Sequence, residues 1–515
     1  MIKLLKRVCR SLFSRYTISA ALIILEITLL LYIIFGNIHE VKYLILAICI
    51  TSIPASLSLI NKDTNPDYKV PWVFVIMGVP LFGPLIYVLF YQRRMSRRES
   101  KYLGGIFGIL NGEGAESENF ELLRQRDVSA AGKARALLGD CPISDIYRET
   151  RAEFFAKGEL FFDAMIKDLR GAKDYIFLEY FIISNGKLWD EIRQILIEKA
   201  QAGIDVRLLY DDIGCMKTLP SKYPKVLASQ GIKARRFNEV NPRVSSIHQN
   251  RDHRKICVID GKVGYTGGAN IGDEYINEVR RFGYWKDGGI RLEGKAVEGL
   301  LKLFVSNWDY SSRTVSDYNY LLSTVTPAEN ADDGFYLPFA SGPAPLFKRP
   351  VGKNVFINLI NQAERYVYIT TPYLIIDYDL TEALRNAACR GVEIVIVTPG
   401  VADKKIIKVL TKSAYPYLID AGVRIYEYRP GFIHEKTFVC DDKYAVVGTI
   451  NFDFRSLVHH FENAVWIYGS PVIASVKEEF LRTIDESERM DKKKSRLTVK
   501  EWFFKIIVRI FAPLL

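Results

Sequence analysis

At 515 residues the chain exceeds one ordinary domain, and length alone predicts roughly two to three units. A formal net charge of +11 suits an anionic surface such as phospholipid or nucleic acid, and charge by itself does not choose between them. The seven cysteines (Cys9, Cys49, Cys141, Cys215, Cys257, Cys389, Cys440) are scattered and odd in number, which argues against a disulfide framework and for reduced residues of a cytosolic domain; no Cys/His cluster has zinc spacing, and no acidic cluster resembles a calcium or magnesium site.

Residues 17–35 form an apolar run broken only by Glu26 and small polar residues, and at about 20 residues it can cross a bilayer core as a helix. It is too long for a signal-peptide core and no small-x-small cleavage site follows, so it reads as a retained anchor. Residues 43–60 and 70–91 are two further apolar stretches, the last interrupted by Gly78, Pro80, Gly83 and Pro84. Glu26 is expected to pack against another helix. Lys3, Lys6, Arg7, Arg10 and Arg15 precede the first stretch, and Arg93, Arg94, Arg97, Arg98 and Lys101 follow the third, so the positive-inside rule wants both flanks cytoplasmic. Three full crossings cannot satisfy that. Two crossings are expected, with the broken third stretch re-entering or the polar second, containing Pro54, lying shallow. Residues 1–95 are thus a membrane anchor, and 96–140, polar and Gly-rich around 111–115, a connector.

A first α/β unit is expected over 141–315, a linker over 316–344 and a second unit over 345–490, because one pattern occurs twice. Ala202–Tyr210 (AGIDVRLLY) is echoed by Arg390–Thr398 (RGVEIVIVT), and Gln230–Arg235 by Ala421–Tyr426. The pattern HxKxxxxD appears as His253, Lys255, Asp260 and again as His434, Lys436, Asp441; it continues to Asn270 in Gly267–Asn270 and to Asn451 in Gly448–Asn451. Lys286–Asp287 then aligns with Phe461–Glu462. The β-branched residues after each Lys predict a buried strand, on which His and Lys two apart share a face. Phosphodiester exchange through a covalent intermediate needs a nucleophile, a general acid and cations for the phosphate oxygens, and each copy supplies a His and a Lys. Asp287 and Glu462 are candidate histidine-orienting groups, since an imidazole that attacks phosphorus needs an acceptor on its other nitrogen. A single HxKxxxxD would read as an ordinary strand; two copies with matched Asn and acid read as one shared site. Asp260 and Asp441 count with the motif among the catalytic candidates, though their strand-end position suggests holding the next loop. His39 is expected in a membrane-edge loop, and His248, His459 and His460 around the pocket. Arg455 and Ser456 read equally as head-group contacts or as a bracing pair.

Over 491–515 a basic run, Lys492–Arg496, precedes a segment in which Phe503, Ile506, Ile507, Ile510 and Phe511 fall on one helical face and Lys505 and Arg509 off it. That predicts an interfacial helix on anionic lipid, the alternative being a helix docked on the core.

The doubled motif, with Leu178–Ile182 (LEYFI), Val206–Gly214 (VRLLYDDIG), Gly268–Tyr275 (GANIGDEY), Thr371–Tyr373 (TPY) and Gly448–Ser456 (GTINFDFRS), resembles the phospholipase D superfamily and, within it, the bacterial cardiolipin synthases. The resemblance runs nearly end to end. It implies two phospholipase D-like α/β/α halves related by a pseudo-two-fold axis and preceded by N-terminal transmembrane helices, in a multi-pass protein of the bacterial inner or plasma membrane with its catalytic halves cytoplasmic. The implied reaction joins two phosphatidylglycerols into cardiolipin and glycerol, with no metal or other cofactor and no nucleic acid. His253 would be the nucleophile and His434 the general acid, then base; Lys255, Lys436, Asn270 and Asn451 would bind the phosphoryl oxygens. One departure is His460, where such synthases usually carry Asn; it is expected to tune acceptor contacts. Rival readings are a phospholipase D hydrolase or transphosphatidylase with another alcohol, a nuclease, and a membrane scaffold with a decayed site. Intact His, Lys and Asn in both copies oppose the last, and the lack of a basic-aromatic nucleic-acid module opposes the nuclease.

Overall fold

The computed structural model describes residues 15–35, 38–62, 65–90, 95–111, 114–239 and 250–512; Cys9, His248 and the basic residues at positions 3–10, 93 and 94 lie outside them. The three N-terminal apolar stretches become four helices, Arg15–Phe35, Ile38–Ile60, Pro66–Gly78 and Gly83–Phe90, with His39 on the first turn of the second rather than in a loop. Pro80, which lacks an N–H, and Pro84 break the third stretch. The break leaves N–H groups of Leu81 and Phe82 without intrahelical acceptors, and the buried Glu26 carboxylate takes both, at 3.2 and 3.1 Å. Glu26 therefore caps a helix start from a neighbouring helix. Among the described residues no helix is long and apolar enough to cross a membrane. Large apolar side chains on these helices, Ile24, Phe35, Tyr43, Ile50, Phe74 and Val88 among them, are exposed.

The segment expected as a polar connector is largely helical: Arg97–Ile109, Glu118–Arg126 and Val128–Asp140 are capped by Ser96, Ser117 and Asp127. Most of their polar residues face outward, the buried Lys133 excepted, while Leu103, Phe107, Phe120, Leu123 and Leu137 enter a core that continues through both repeats.

The first repeat contains β1 (Thr150–Phe155), β2 (Tyr175–Tyr180), β3 (Asp205–Asp211), β4 (Lys233–Phe237), β5 (Lys255–Ile259), β6 (Val263–Gly267), β7 (Tyr284–Lys286) and β8 (Gly289–Gly294). The second contains β9 (Phe335–Ser341), β10 (Tyr366–Thr370), β11 (Leu374–Ile375), β12 (Glu393–Pro399), β13 (Arg424–Tyr428), β14 (Gly431–Ile433), β15 (Thr437–Cys440), β16 (Tyr444–Gly448), β17 (Phe452–Asp453), β18 (Glu462–Tyr468) and β19 (Ser487–Arg489). The two sheets run β1-β8-β6-β5-β2-β3-β4 and β9-β18-β16-β15-β10-β12-β13-β19, the same order apart from the last strand. In both, β2-β3-β4 and β10-β12-β13 are parallel, as βα crossovers require, the motif strands are antiparallel to β2 and β10, and β19 adds antiparallel to β13. β9 lies inside the stretch expected as a linker. Pro338 disguises it in the sequence, because proline is tolerated only on an edge strand, and β9 is the edge, paired along the whole of β18.

Asp260 and Asp441 stand at the far ends of β5 and β15, with φ of 53° and 56°. Asp260 accepts from the N–H groups of Lys173, Asp174 and Tyr175 at 2.8, 2.8 and 2.9 Å, and Asp441 from those of Glu364, Arg365 and Tyr366 at 2.9, 2.8 and 2.9 Å. Five residues of strand put each about 16 Å from its motif Lys. Both carboxylates are thus occupied in pinning the start of β2 or β10 to the end of the motif strand. Their place among catalytic candidates is corrected accordingly.

Candidate active site

The motif strands begin at Lys255 and Thr437, so the two histidines lie just ahead of them and not on them. What draws each His off its strand is the other repeat. The His253 N–H donates to the carbonyl of Phe461, and the His434 N–H to that of Lys286, both at 2.8 Å. β7 runs parallel to β14, pairing Lys286 with Ile433, and an isolated bridge pairs Asp252 with Phe461. Phe461 and Lys286 immediately precede the two candidate acids, so each crossing sets a carboxylate against the opposite repeat's imidazole. His253 Nδ1 lies 2.9 Å from Glu462 Oε2, and His434 Nδ1 2.6 Å from Asp287 Oδ2. Both acids are fully buried and both imidazoles nearly so. A carboxylate that accepts Nδ1–H leaves Nε2 with its lone pair, the tautomer a nucleophile or base requires.

The lysines are buried beside them. Lys255 Nζ donates to the His253 carbonyl at 2.6 Å, and Lys436 Nζ to the His434 carbonyl. Burial pushes Lys255 down to about 7 and Lys436 to about 8, against the pull of the Glu462 and Asp287 carboxylates. It also pushes His434 down to about 4 and His253 well below the usual imidazole value. At neutral pH the free site therefore holds two neutral imidazoles and partly charged lysines. A phosphodiester anion is attracted by the protonated lysines, so kcat/KM on dispersed substrate should fall as pH rises through about 7 to 8; a profile flat to pH 10 would contradict this. Stability moves the other way. Each lysine is depressed from its ordinary 10.5, so the unfolded chain binds more protons across that window, and the substrate-free fold gains stability as pH rises from about 7 towards 10.

Asn270 and Asn451 are both buried but are not equivalent. Asn270 is held at both ends, accepting from the Ile182 N–H at 3.0 Å and donating to the Tyr275 hydroxyl at 2.7 Å. Asn451 donates to Asp453 at 3.0 Å, and its Oδ1 has no partner among the described residues. Arg455 supplies the carbonyl that fixes the His459–His460 turn, and Ser456 is buried.

Aromatic rings wall the site, and of these the sequence reading placed only His460 at the pocket. Tyr275, Trp285 and Phe432 have ring centroids 5.8, 5.6 and 5.9 Å from His434; Phe181 and His460 lie 5.0 and 5.6 Å from His253. Trp285 and His460 each stand two residues before an orienting acid, a register visible once the repeats are aligned. Thr449 donates to Glu462 Oε2, whereas at the matching Gly268 an added Cβ would come 2.2 Å from Asp287 Oδ1. The arrangement offers two oppositely placed neutral bases, cations for phosphoryl oxygens and an apolar wall that limits water.

A family profile described as "Cardiolipin synthase, PLD-like domain" matches residues 165–280 and 356–484, and one described as "Phospholipase_D-nuclease N-terminal" matches 50–90. A cardiolipin synthase of Halalkalibacterium halodurans is 31% identical, over 91% of this chain and 93% of its own length. Cardiolipin synthase 2 of Bacillus anthracis is 33% identical, over 88% of each. In three dimensions the chain resembles phosphatidylserine synthase of Haemophilus influenzae, with a TM-score of 0.56 at 16% identity over 70% of this chain and 94% of the other, a likeness of fold.

Proposed function

From the chain's membership of the cardiolipin synthase family of phospholipase D-like proteins, we propose that it transfers a phosphatidyl group from one phosphatidylglycerol to another, giving cardiolipin and glycerol. The observation that carries this reading is the crosswise pair of buried imidazoles, each held by a carboxylate of the opposite repeat. His253 Nε2 attacks the donor phosphorus, forming an N–P bond as the P–O bond to glycerol breaks; His434, protonated in the presence of the bound anion, gives its proton to the departing oxygen. The roles then reverse, as His434 Nε2 takes the proton of the second lipid's hydroxyl and that oxygen displaces His253 from phosphorus. Lys255 and Lys436 stabilise the charge building on the phosphoryl oxygens, and the second hydrogen of the Asn451 Nδ2, not engaged by Asp453, is a further donor. The aromatic wall favours a lipid alcohol over water, which separates this reading from a hydrolase. Purified enzyme given labelled phosphatidylglycerol should form cardiolipin and free glycerol with chelator present. Phosphatidic acid as sole product, or loss of turnover on chelation, would sink it.

The N-terminal helices are the membrane anchor in this reading. Their exposed apolar side chains form a surface that water does not favour, and the capped break at Val79–Phe82 suits a segment that enters and returns, leaving both basic flanks and the catalytic repeats on the cytoplasmic side. The C-terminal helix Val499–Phe511 supports a second lipid contact. It packs on the helix Lys405–Asp420 yet leaves Val499, Trp502, Phe503 and Ile506 exposed, and between the two helices lies a groove lined by Lys412, Lys492, Lys493, Arg496 and Lys505. Deleting residues 497–515 should leave the protein in the membrane while lowering turnover several-fold on vesicles rich in anionic lipid. Unchanged turnover across vesicles of varied anionic content would show that the helix only packs.

A further inference from the structure

No metal-ligand spacing exists in the sequence, yet folding gathers His253, His460 and Glu462 so that one ligand atom from each lies within 4.8 Å of the others. His460 is 8% exposed and Glu462 0%. Hydrogen bonding leaves part of this cluster unused: neither ring nitrogen of His460, nor Glu462 Oε1, has a hydrogen bond among the described residues. His460 Nδ1 and Glu462 Oε1 face each other at 3.7 Å, beyond a good hydrogen bond and near the roughly 3.3 Å that separates two ligands of a tetrahedral ion with bonds of about 2.0–2.1 Å. The other oxygen of the same carboxylate already meets His253 Nδ1 at 2.9 Å. The mirror position offers nothing comparable, because Trp285 stands there in place of His460 and the second oxygen of Asp287 accepts from the Gly288 N–H at 2.9 Å.

We propose that His253, His460 and Glu462 form a site for a borderline divalent ion of the zinc class, and that such an ion inhibits the enzyme by sequestering His253. Two imidazoles and a carboxylate are a ligand set zinc takes readily, with water in the fourth position. Whichever nitrogen of His253 coordinates, the attacking lone pair is lost. At Nε2 the metal occupies it directly; at Nδ1 the metal replaces the bond to Glu462 and the ring proton moves to Nε2. The inhibitory part of the proposal rests on the reading of His253 as nucleophile.

The test uses full-length protein in detergent at pH 8, stripped with chelator. Titration with Co²⁺ should give one equivalent of tetrahedral cobalt, seen as intense visible bands that Zn²⁺ displaces, and free Zn²⁺ should lower turnover of labelled phosphatidylglycerol at least tenfold. His460→Asn should lose the cobalt bands and raise the zinc midpoint, read against the variant's own metal-free turnover, at least tenfold. His460→Gln, with a thermal melt, guards against a folding defect in the first variant. Absence of the bands in wild type, or zinc sensitivity in both variants equal to that of the wild type, overturns the proposal. A wild-type protein that binds cobalt but makes no cardiolipin leaves the metal site standing and refutes the proposed reaction.

Discussion

In His253→Ala no phosphoenzyme forms, while in His434→Ala one forms slowly at His253 and then persists. Both variants lose steady-state turnover by a factor on the order of 10⁴ or more, since the two groups act as a unit, so turnover alone does not tell them apart. The distinction lies in what each step needs. Without His253 there is no nitrogen to bond phosphorus; without His434 only the proton donor for the leaving alcohol, and later the base for the acceptor, are missing. A donor lipid with a good leaving group needs little protonation, so it should label His434→Ala stoichiometrically, with an acid-labile phosphoryl group mapped to position 253. Label at position 434 in His253→Ala would reverse the assignment, and no label in either variant would remove support for a covalent route.

The orienting acids should show a larger loss on one side than on the other. Asp287 uses both oxygens: Oδ2 faces His434 Nδ1, and Oδ1 accepts from the Gly288 N–H. In Asp287→Asn the amide NH₂ must confront one of those donors, and turning it towards His434 drives the imidazole into the wrong tautomer, a defect that costs on the order of 10³–10⁴ in other histidine-acid pairs. Glu462 uses Oε2 for both His253 and Thr449, and Oε1 has no hydrogen bond among the described residues. Glu462→Gln can place its NH₂ at the Oε1 position and keep the tautomer, losing only the charge, so roughly 10–100-fold is expected. The step affected also differs. Asp287→Asn acts through His434 and should let the phosphoenzyme accumulate, whereas Glu462→Gln should slow its formation. Single-turnover kinetics read both, and equal losses at the same step would refute the crosswise assignment.

Most of the candidate site was legible because it is repeated. His253 and His434, the two lysines, Asn270 and Asn451, and both acids stand in one register in each half, and a register shared over so many residues is carried by the sequence itself. Which acid meets which histidine was not legible. That depends on the backbone bonds from His253 to Phe461 and from His434 to Lys286, between residues 208 and 148 positions apart, for which no local pattern exists. The same bonds explain why the histidines leave the strand on which alternation had placed them. β9 was hidden by Pro338, and the helices between 97 and 140 by a polar face that composition alone equates with a connector. Asp260 and Asp441 were drawn into the catalytic set by their place in the motif, although three backbone N–H groups claim each carboxylate.

The differences between the mirror positions give the paired halves a polarity. An assembly of two identical chains must place the same side chain on both sides of its axis, so its histidines can take up different duties only by transient chance. Here Asp287 stands opposite Glu462, Gly268 opposite Thr449 and Trp285 opposite His460, and the first two contrasts are interlocked, since a side chain at 268 would collide with Asp287. Covalent fusion of the halves makes that division of labour permanent: one imidazole is committed to an environment of rings, the other to one with an open carboxylate oxygen, and a substrate meeting the site encounters a first side and a second.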